Sequence, residues 1–155
     1  IKCMEIRIKQ FNELDRLELY RIIQLRINVF IVEQNCPYPD LDDKDLVSNH
    51  VMLWKGDELI AVTRLVPPGI SYPNYASIGR VATHANYRGS GLGKLVMTES
   101  IKACEELFLG YNIKISAQAY LVAFYTALGF DKIGEEYLED NIPHIAMIKH
   151  SIQRV

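Results

Sequence analysis

The turn Arg88-Gly89-Ser90-Gly91-Leu92-Gly93-Lys94 separates two segments of different periodicity, and the rest of the chain is organised around it. Ala76–Thr83, upstream, is short and reads as a strand. Downstream, Gly91–Leu109 carries Leu92, Leu95, Val96, Ser100, Ala103 and Leu107 along one face, with Lys94, Glu99, Lys102 and Glu106 elsewhere. That is an amphipathic helix, and Gly110 is placed to end it. Glycines at a helix N-terminus let the backbone approach a ligand closely. The free N–H groups and the helix dipole then form an anion site, for which a diphosphate is the usual guest. Arg88 and Lys94 add charge on either side. A merely flexible strand-to-helix turn would use the same glycines, so spacing has to discriminate.

Spacing removes three phosphate and nucleophile motifs. A P-loop needs Gly-x4-Gly-Lys-Ser/Thr, but Arg88 stands at the first glycine and Leu95 follows the lysine. A dinucleotide fingerprint fails in both registers, at Lys94 and at Val96. The elbow Gly-x-Ser-x-Gly fails because Arg88 takes its first position. Arg-x-x-Gly-x-Gly remains.

Moving outward, Met4-Ile6-Ile8 alternate with Glu5-Arg7-Lys9 as in a half-buried strand. Asn12 is placed as an N-cap, with Asp15 three residues on. Leu14, Leu17, Tyr20, Ile23, Ile27 and Phe30 then follow at helical spacing until Cys36-Pro37-Tyr38-Pro39. An acidic loop, Asp40–Asp45, leads to strands over Ser48–Lys55 and Glu58–Val66 around Gly56-Asp57, and Pro67-Pro68-Gly69 opens a further loop. Beyond the long helix, Ile113–Ala117 reads as a strand and Tyr120–Leu128 as a helix closed by Gly129. Phe130–Tyr137 and Pro143–Ile152 form a final pair of strands around Glu139-Asp140-Asn141. The result is a mixed α/β domain spanning residues 1–155.

Composition narrows the function. The chain has 155 residues, 49% hydrophobic and 23% charged, within the range of ordinary globular domains. Its net charge of −2 carries no basic surplus for nucleic acid or an anionic membrane. The uncharged stretch Ile115–Phe130 is too short and too polar to span a bilayer. IKCMEIRIKQ has no signal-peptide pattern, and Cys3, Cys36 and Cys104 are unpatterned, which is the expectation for reduced thiols in the cytoplasm. No metal-ligand spacing occurs. Asp40-x-Asp42-Asp43-Lys44-Asp45 departs from a calcium loop at Lys44, Asp45 and Val51 and reads as a solvated acidic loop.

Arg88-x-x-Gly91-x-Gly93 after a strand resembles the acyl-CoA signature of the GNAT superfamily of N-acetyltransferases, and Phe124-Tyr125-x-x-x-Gly129-Phe130 resembles that family's second landmark. Val29-Phe30-x-Val32-Glu33-Gln34, Cys36-Pro37-Tyr38, Arg64-Leu65-x-Pro67-Pro68-Gly69, Ile78-Gly79-Arg80-Val81 and Glu135-Glu136-Tyr137-Leu138-Glu139-Asp140 extend the likeness to the ElaA-like branch over nearly the whole chain. The resemblance implies a mostly antiparallel mixed sheet, splayed between its fourth and fifth strands and flanked by helices.

It also implies a site. Acetyl-CoA would be the co-substrate, its pantetheine arm bonded by the main chain of Val81, Ala82 and Thr83. Its diphosphate would be held by Arg88 and the amides of Gly89, Ser90, Gly91, Leu92, Gly93 and Lys94, with Gln118 facing the same cleft. The acceptor would be a small-molecule or peptide amine, Arg80 and Asp140 would line its pocket, and Tyr125 would protonate the departing thiolate. Some members place a glutamate base on the fourth strand, but Ser77 stands there; Glu33, His50 and His144 are the substitutes. A lysine-like amine of pKa ~10.4 is neutral only about once in 10³ molecules at pH 7, so a base or desolvation is needed. Direct transfer is expected, since neither Cys36 nor Cys104 sits in a thiolate-activating neighbourhood. The alternatives are a non-catalytic acyl-CoA-sensing module and, against the motif spacing, a nucleotide site. The acidic loop would suit a cationic acceptor, and the chain would be a monomer or homodimer.

Overall fold

In the computed structural model, which describes residues 3–151, seven strands form one sheet in the order β1-β2-β3-β4-β5-β7-β6. The strands are β1 (Met4–Gln10), β2 (Asn49–Lys55), β3 (Glu58–Val66), β4 (Tyr75–Thr83), β5 (Asn112–Gln118), β6 (Asp131–Glu139) and β7 (Ile142–Lys149). The helices are α1 (Arg16–Arg26), α2 (Leu92–Leu107) and α3 (Val122–Ala127). Element order and type follow the reading above. The last residue assigned to the final strand, Ile152, lies outside the described residues.

All neighbouring strands pair antiparallel except β4 and β5, which run parallel. That pair touches only at Tyr75↔Asn112 and Ala76↔Ile113. Beyond these two rungs the strands diverge, so the sheet opens into a V. A bulge on β4 sharpens the opening: Val62 faces Ala82, but Arg64 faces Gly79, leaving Arg80 and Val81 against Thr63 alone. Arg80 adopts a positive φ of 51°, costly for a residue with a Cβ and tolerated here because its side chain is anchored by ion pairs.

Two cores lie on opposite faces of the sheet. On one face, α2 packs Leu92, Val96, Met97, Ile101 and Cys104 against Val51, Leu53, Ile60, Ile113, Ile115 and Met147. On the other, Ile22 and Leu25 of α1 and Val29 meet Met52, Trp54, Leu59, Val62 and Ala82.

The first helix departs from the sequence reading in three ways. Its N-cap is Asp15 rather than Asn12, because Asp15 and Glu18 bond each other's backbone N–H in a capping box (2.7 and 3.0 Å). Its inward face is Glu18, Ile22, Leu25 and Arg26, whereas Leu17 and Tyr20 are exposed. Finally, α-helical winding stops at Arg26 and wider π-type turns carry Ile27–Glu33. Such π turns re-aim side chains, and here Val29, Phe30 and Glu33 all reach the cleft described below. On β1, Met4 and Ile8 are largely exposed, and Arg7 and Lys9 pair with buried Glu18 at 3.4 and 2.9 Å.

The acidic loop is not solvated, a correction to the sequence reading. Arg26, 2% exposed, holds Asp40 (2.8 Å) and Asp45 (2.7 Å); Arg64, 4% exposed, holds Asp42 (2.7 Å) and Asp45 (3.2 Å). Arg80 lies 2.9 Å from Asp40 and 3.4 Å from Asp42. Three aspartates thus meet three arginines, and their charge is spent inside the fold. The idea that this loop attracts a cationic acceptor loses its basis.

Candidate active site

Where β4 and β5 part, a cleft of about 1300 Å³ opens between the two halves of the sheet. One wall is β4 and the glycine turn, from Ser77 through Arg80, Val81 and Thr83 to Arg88, Gly89, Gly91, Leu92, Gly93 and Lys94. The other is β5 with the segment after it, contributing Ile115, Ser116, Gln118, Phe124 and Tyr125. The π turns and the β6–β7 hairpin close the remaining sides with Glu33, Gln34, Glu139, Asp140 and His144. Ala82 and Ser90 do not line it with their side chains: Ala82 packs in the α1 core, and the Ser90 hydroxyl donates to the Tyr87 carbonyl, closing the turn.

The glycine turn is shaped for a ligand that approaches backbone. Gly91 is the residue before α2 and has φ +81°, a left-handed conformation that a side chain disfavours. A Cβ there would meet nothing within 4 Å, so the glycine serves the backbone and leaves open space above it. The first amides of α2 have no intrahelical acceptors, and Leu92, Gly93 and Lys94, which carry them, line the cleft. These residues fit a diphosphate.

Arg88 donates to the Thr83 carbonyl at 3.0 Å and forms a 2.7 Å ion pair with Glu33. In the arrangement the resemblance implies, with Arg88 at the diphosphate, Glu33 would sit at that end of the cleft, a pantetheine arm away from the reacting carbon. Because the pair is half-exposed it is worth only about 0–1 kcal/mol. Glu33→Gln should accordingly leave kcat within about three-fold and tighten acetyl-CoA binding by up to about five-fold, as Arg88 is freed. Titration calorimetry alongside steady-state kinetics checks both.

His50 does not line the cleft. It is 2% exposed beneath the acidic loop, and its Nε2–H donates to the Asp45 carbonyl at 2.9 Å. Burial holds its pKa below the ordinary histidine value, so it is neutral and its N–H is committed. Arg80 does line the cleft, although its guanidinium is engaged by Asp40 and Asp42. The side-chain amides of Gln118 and Gln34 pair at 3.3 Å across one corner. The carbonyl of Asp140 takes a 3.6 Å contact from the Cys36 thiol.

Tyr125 is 7% exposed, set edge-on against Phe124 and Phe130, and lines the cleft. Among the described residues its hydroxyl has no hydrogen-bond partner in the protein. Burial, with the neighbouring Tyr120 adding to it, pushes its pKa up to about 12. It is thus a neutral donor over the whole physiological range.

Sequence reasoning missed a polar group on the β5–β7–β6 face. Ser116 donates to Glu139 Oε2 at 2.9 Å and accepts from the Tyr137 hydroxyl, while His144 lies 3.4 Å from the same carboxylate oxygen. The period of two along β5 held the signal: Ile115 and Ala117 face the core, so Ser116 and Gln118 face the cleft. Among the described residues, no group of three His, Cys, Asp or Glu side chains could hold a metal ion, and no helix is long and apolar enough to cross a membrane.

A V-shaped sheet with a glycine turn at its mouth and, among the described residues, a tyrosine hydroxyl without a protein partner inside is the arrangement of an acyl-CoA-dependent acyltransferase, and comparisons with known proteins bear that class out. The family model for the acetyltransferase (GNAT) domain matches residues 39–151, and the chain belongs to that family. Protein ElaA of Escherichia coli is 39% identical over 144 residues, 92% of this chain and 94% of that protein. The crystal structure of Escherichia coli ElaA superposes with a TM-score of 0.88 at 37% identity, covering 94% of this chain and 99% of that one. An acyl-CoA N-acyltransferase from Pseudomonas aeruginosa superposes with a TM-score of 0.89 at 40% identity, covering 95% and 99%.

Proposed function

We propose that this enzyme, a single domain over residues 1–155 working in the cytoplasm, moves an acetyl group from acetyl-CoA to a primary amine by direct attack. The observation that carries this is Tyr125, a buried residue lining the cleft whose hydroxyl has no protein partner among the described residues and is kept protonated by its surroundings. Val81, Ala82 and Thr83 bond the pantetheine arm through their main chain on the bulged side of the V. The amides from Gly89 to Lys94, with Arg88, take the diphosphate, and Gln118 borders the arm from the opposite strand.

The bulge leaves the Val81 N–H outside regular pairing with β3, so it is the donor offered to the tetrahedral oxyanion. Collapse of that intermediate breaks the C–S bond and leaves the electron pair on sulfur. Full proton transfer from a phenol of pKa about 12 to a thiolate of conjugate pKa ~8.5 is uphill by roughly 5 kcal/mol. Tyr125 therefore acts chiefly by hydrogen-bonding the developing thiolate, and solvent completes the protonation. An acyl-enzyme on Cys104 is disfavoured, because it is buried in the α2 core, where burial pushes its thiol to about 12.

Binding is tested by calorimetry with acetyl-CoA, CoA and ATP with magnesium. Micromolar binding of acetyl-CoA, lost on Arg88→Ala combined with Gly91→Val, is the expected result. Preference for the nucleotide would overturn the reading.

A further inference from the structure

We propose that His144 is the general base that deprotonates the acceptor ammonium and that Glu139 positions it, an assignment that rests on the acyl-transfer reading above. His144 is 8% exposed and lines the cleft. It stands directly opposite Gln118 of β5 and Tyr137 of β6, so these three side chains share the cleft-facing side of the sheet.

Three contacts prepare the ring. Its Nδ1 lies 2.6 Å from the Ile142 carbonyl oxygen; a carbonyl only accepts, so Nδ1 carries the hydrogen. In the neutral ring the lone pair is therefore on Nε2. Nε2 faces Glu139 Oε2 at 3.4 Å, which supplies a counter-charge once the ring takes a proton. Tyr137 stacks on the imidazole, with centroids 6.2 Å apart and planes 22° from parallel, and fixes its orientation.

Glu139 is itself held. A carboxylate only accepts, so the Ser116 hydroxyl donates to it, and the Ser116 oxygen in turn receives the Tyr137 O–H. Tautomer, ring plane and counter-charge are thus each set by a named partner. Glu139 and Tyr137 from β6 contact the ring, and Asp140 from the hairpin turn, Tyr72, which lies near both β6 groups, and Cys36, which contacts the Asp140 carbonyl, are the titratable groups lining the same cleft nearby. Of these, Glu139 is the one at ion-pair distance.

The proton and electron count closes. The acceptor ammonium gives one proton to Nε2. The freed lone pair forms the C–N bond at the thioester carbon, and the C–S bond breaks with its electron pair on sulfur. The nitrogen then releases its second proton to solvent while sulfur gains one through Tyr125 and solvent. His144 returns its proton to water, so ammonium and acetyl-CoA yield amide, CoA thiol and one proton.

The test uses the full chain, acetyl-CoA and two probes. One is a lysine amide blocked at its α-nitrogen; the other is hydroxylamine, which is already largely neutral at pH 7 and needs no base. His144→Gln should lower kcat/KM for the lysine amide by about 100-fold. It should also abolish the acid limb of the pH profile and affect hydroxylamine far less. Glu139→Gln should lower kcat/KM for the lysine amide by about ten-fold while sparing hydroxylamine and acetyl-CoA affinity, because the imidazolium loses its counter-charge. Equal losses on both amines with the limb intact would overturn the proposal. If His144→Gln no longer binds acetyl-CoA, Glu139→Gln decides alone, and equal losses on both amines overturn it. A wild-type protein that binds acetyl-CoA yet acetylates neither probe would fail differently, by overturning the transfer reading beneath.

Discussion

Tyr125→Phe is expected to lower kcat by about 10- to 100-fold while leaving acetyl-CoA affinity within about two-fold, the lower range of what a positioned acid contributes. The substitution removes one oxygen and keeps the ring that packs edge-on between Phe124 and Phe130, so the fold should not notice. Among the described residues no protein partner of the hydroxyl is left stranded, and its loss is felt only when charge develops on sulfur. An acyl donor with a more acidic thiol leaving group needs less help, so the defect should shrink with such a donor. Equal defects with both donors would mean that the hydroxyl positions the thioester rather than assists departure. Unchanged kcat would remove the acid role.

Arg26→Met should produce the largest loss of stability in the molecule. Arg26 is 2% exposed and makes the shortest ion pair of both Asp40 and Asp45, so its removal leaves two buried carboxylates underpaired, Asp40 with Arg80 and Asp45 with Arg64. Breaking such a network from one side costs about 3–5 kcal/mol, a fall in Tm on the order of 10 °C for a domain of this size. The same network makes the fold acid-sensitive. Burial alone would raise the Asp42 and Asp45 carboxyls. The Arg64 guanidinium outweighs burial at Asp42, with Arg80 adding to it, and holds that carboxyl well below the usual range; Arg26 and then Arg64 outweigh burial at Asp45 and lower its carboxyl too. A depressed carboxyl contributes stability that is complete above its unfolded pKa of ~3.9 and is lost as pH falls through the folded value. Thermal melts between pH 7 and pH 2 should therefore show a decline that begins near pH 4 and is shallower in Arg64→Met. A flat profile, or a Tm loss of 1–2 °C for Arg26→Met, would show the network to be dispensable.

This network also marks the limit of what hydrophobic pattern reveals. Periodicity located the strands and the long helix because their inward residues are apolar and alternate as the geometry requires. It misassigned the inward face of α1, where Glu18 and Arg26 are buried and Leu17 and Tyr20 are exposed. A charged residue can occupy a core position only with a partner, and Arg26 finds its partners 14 and 19 residues away in a loop. No local window contains that information, and for the same reason the loop read as solvated.

The candidate site divides along the same line. The half proposed to take the diphosphate is local, a strand, a glycine turn and a helix in sequence order, and the spacing of Arg88, Gly91 and Gly93 was enough to propose it. The acceptor half is assembled from the π turns, β5 and the β6–β7 hairpin, and depends on register. Gln118 meets His144 only because β5 pairs with β7, and Glu139 meets Ser116 only because β6 lies outside β7. His144 could be named from its residue type, but what surrounds it could not.

The most direct measurement is acetyl-CoA-dependent release of CoA thiol across a panel of polyamines, amino acids and lysine peptides, corrected for the three cysteines of the protein. Turnover with at least one acceptor class, together with a matching acetylated product by mass spectrometry, is the expected result. Tight acetyl-CoA binding with no product from any amine would contradict the transfer mechanism and leave a cleft that binds acyl-CoA without using it.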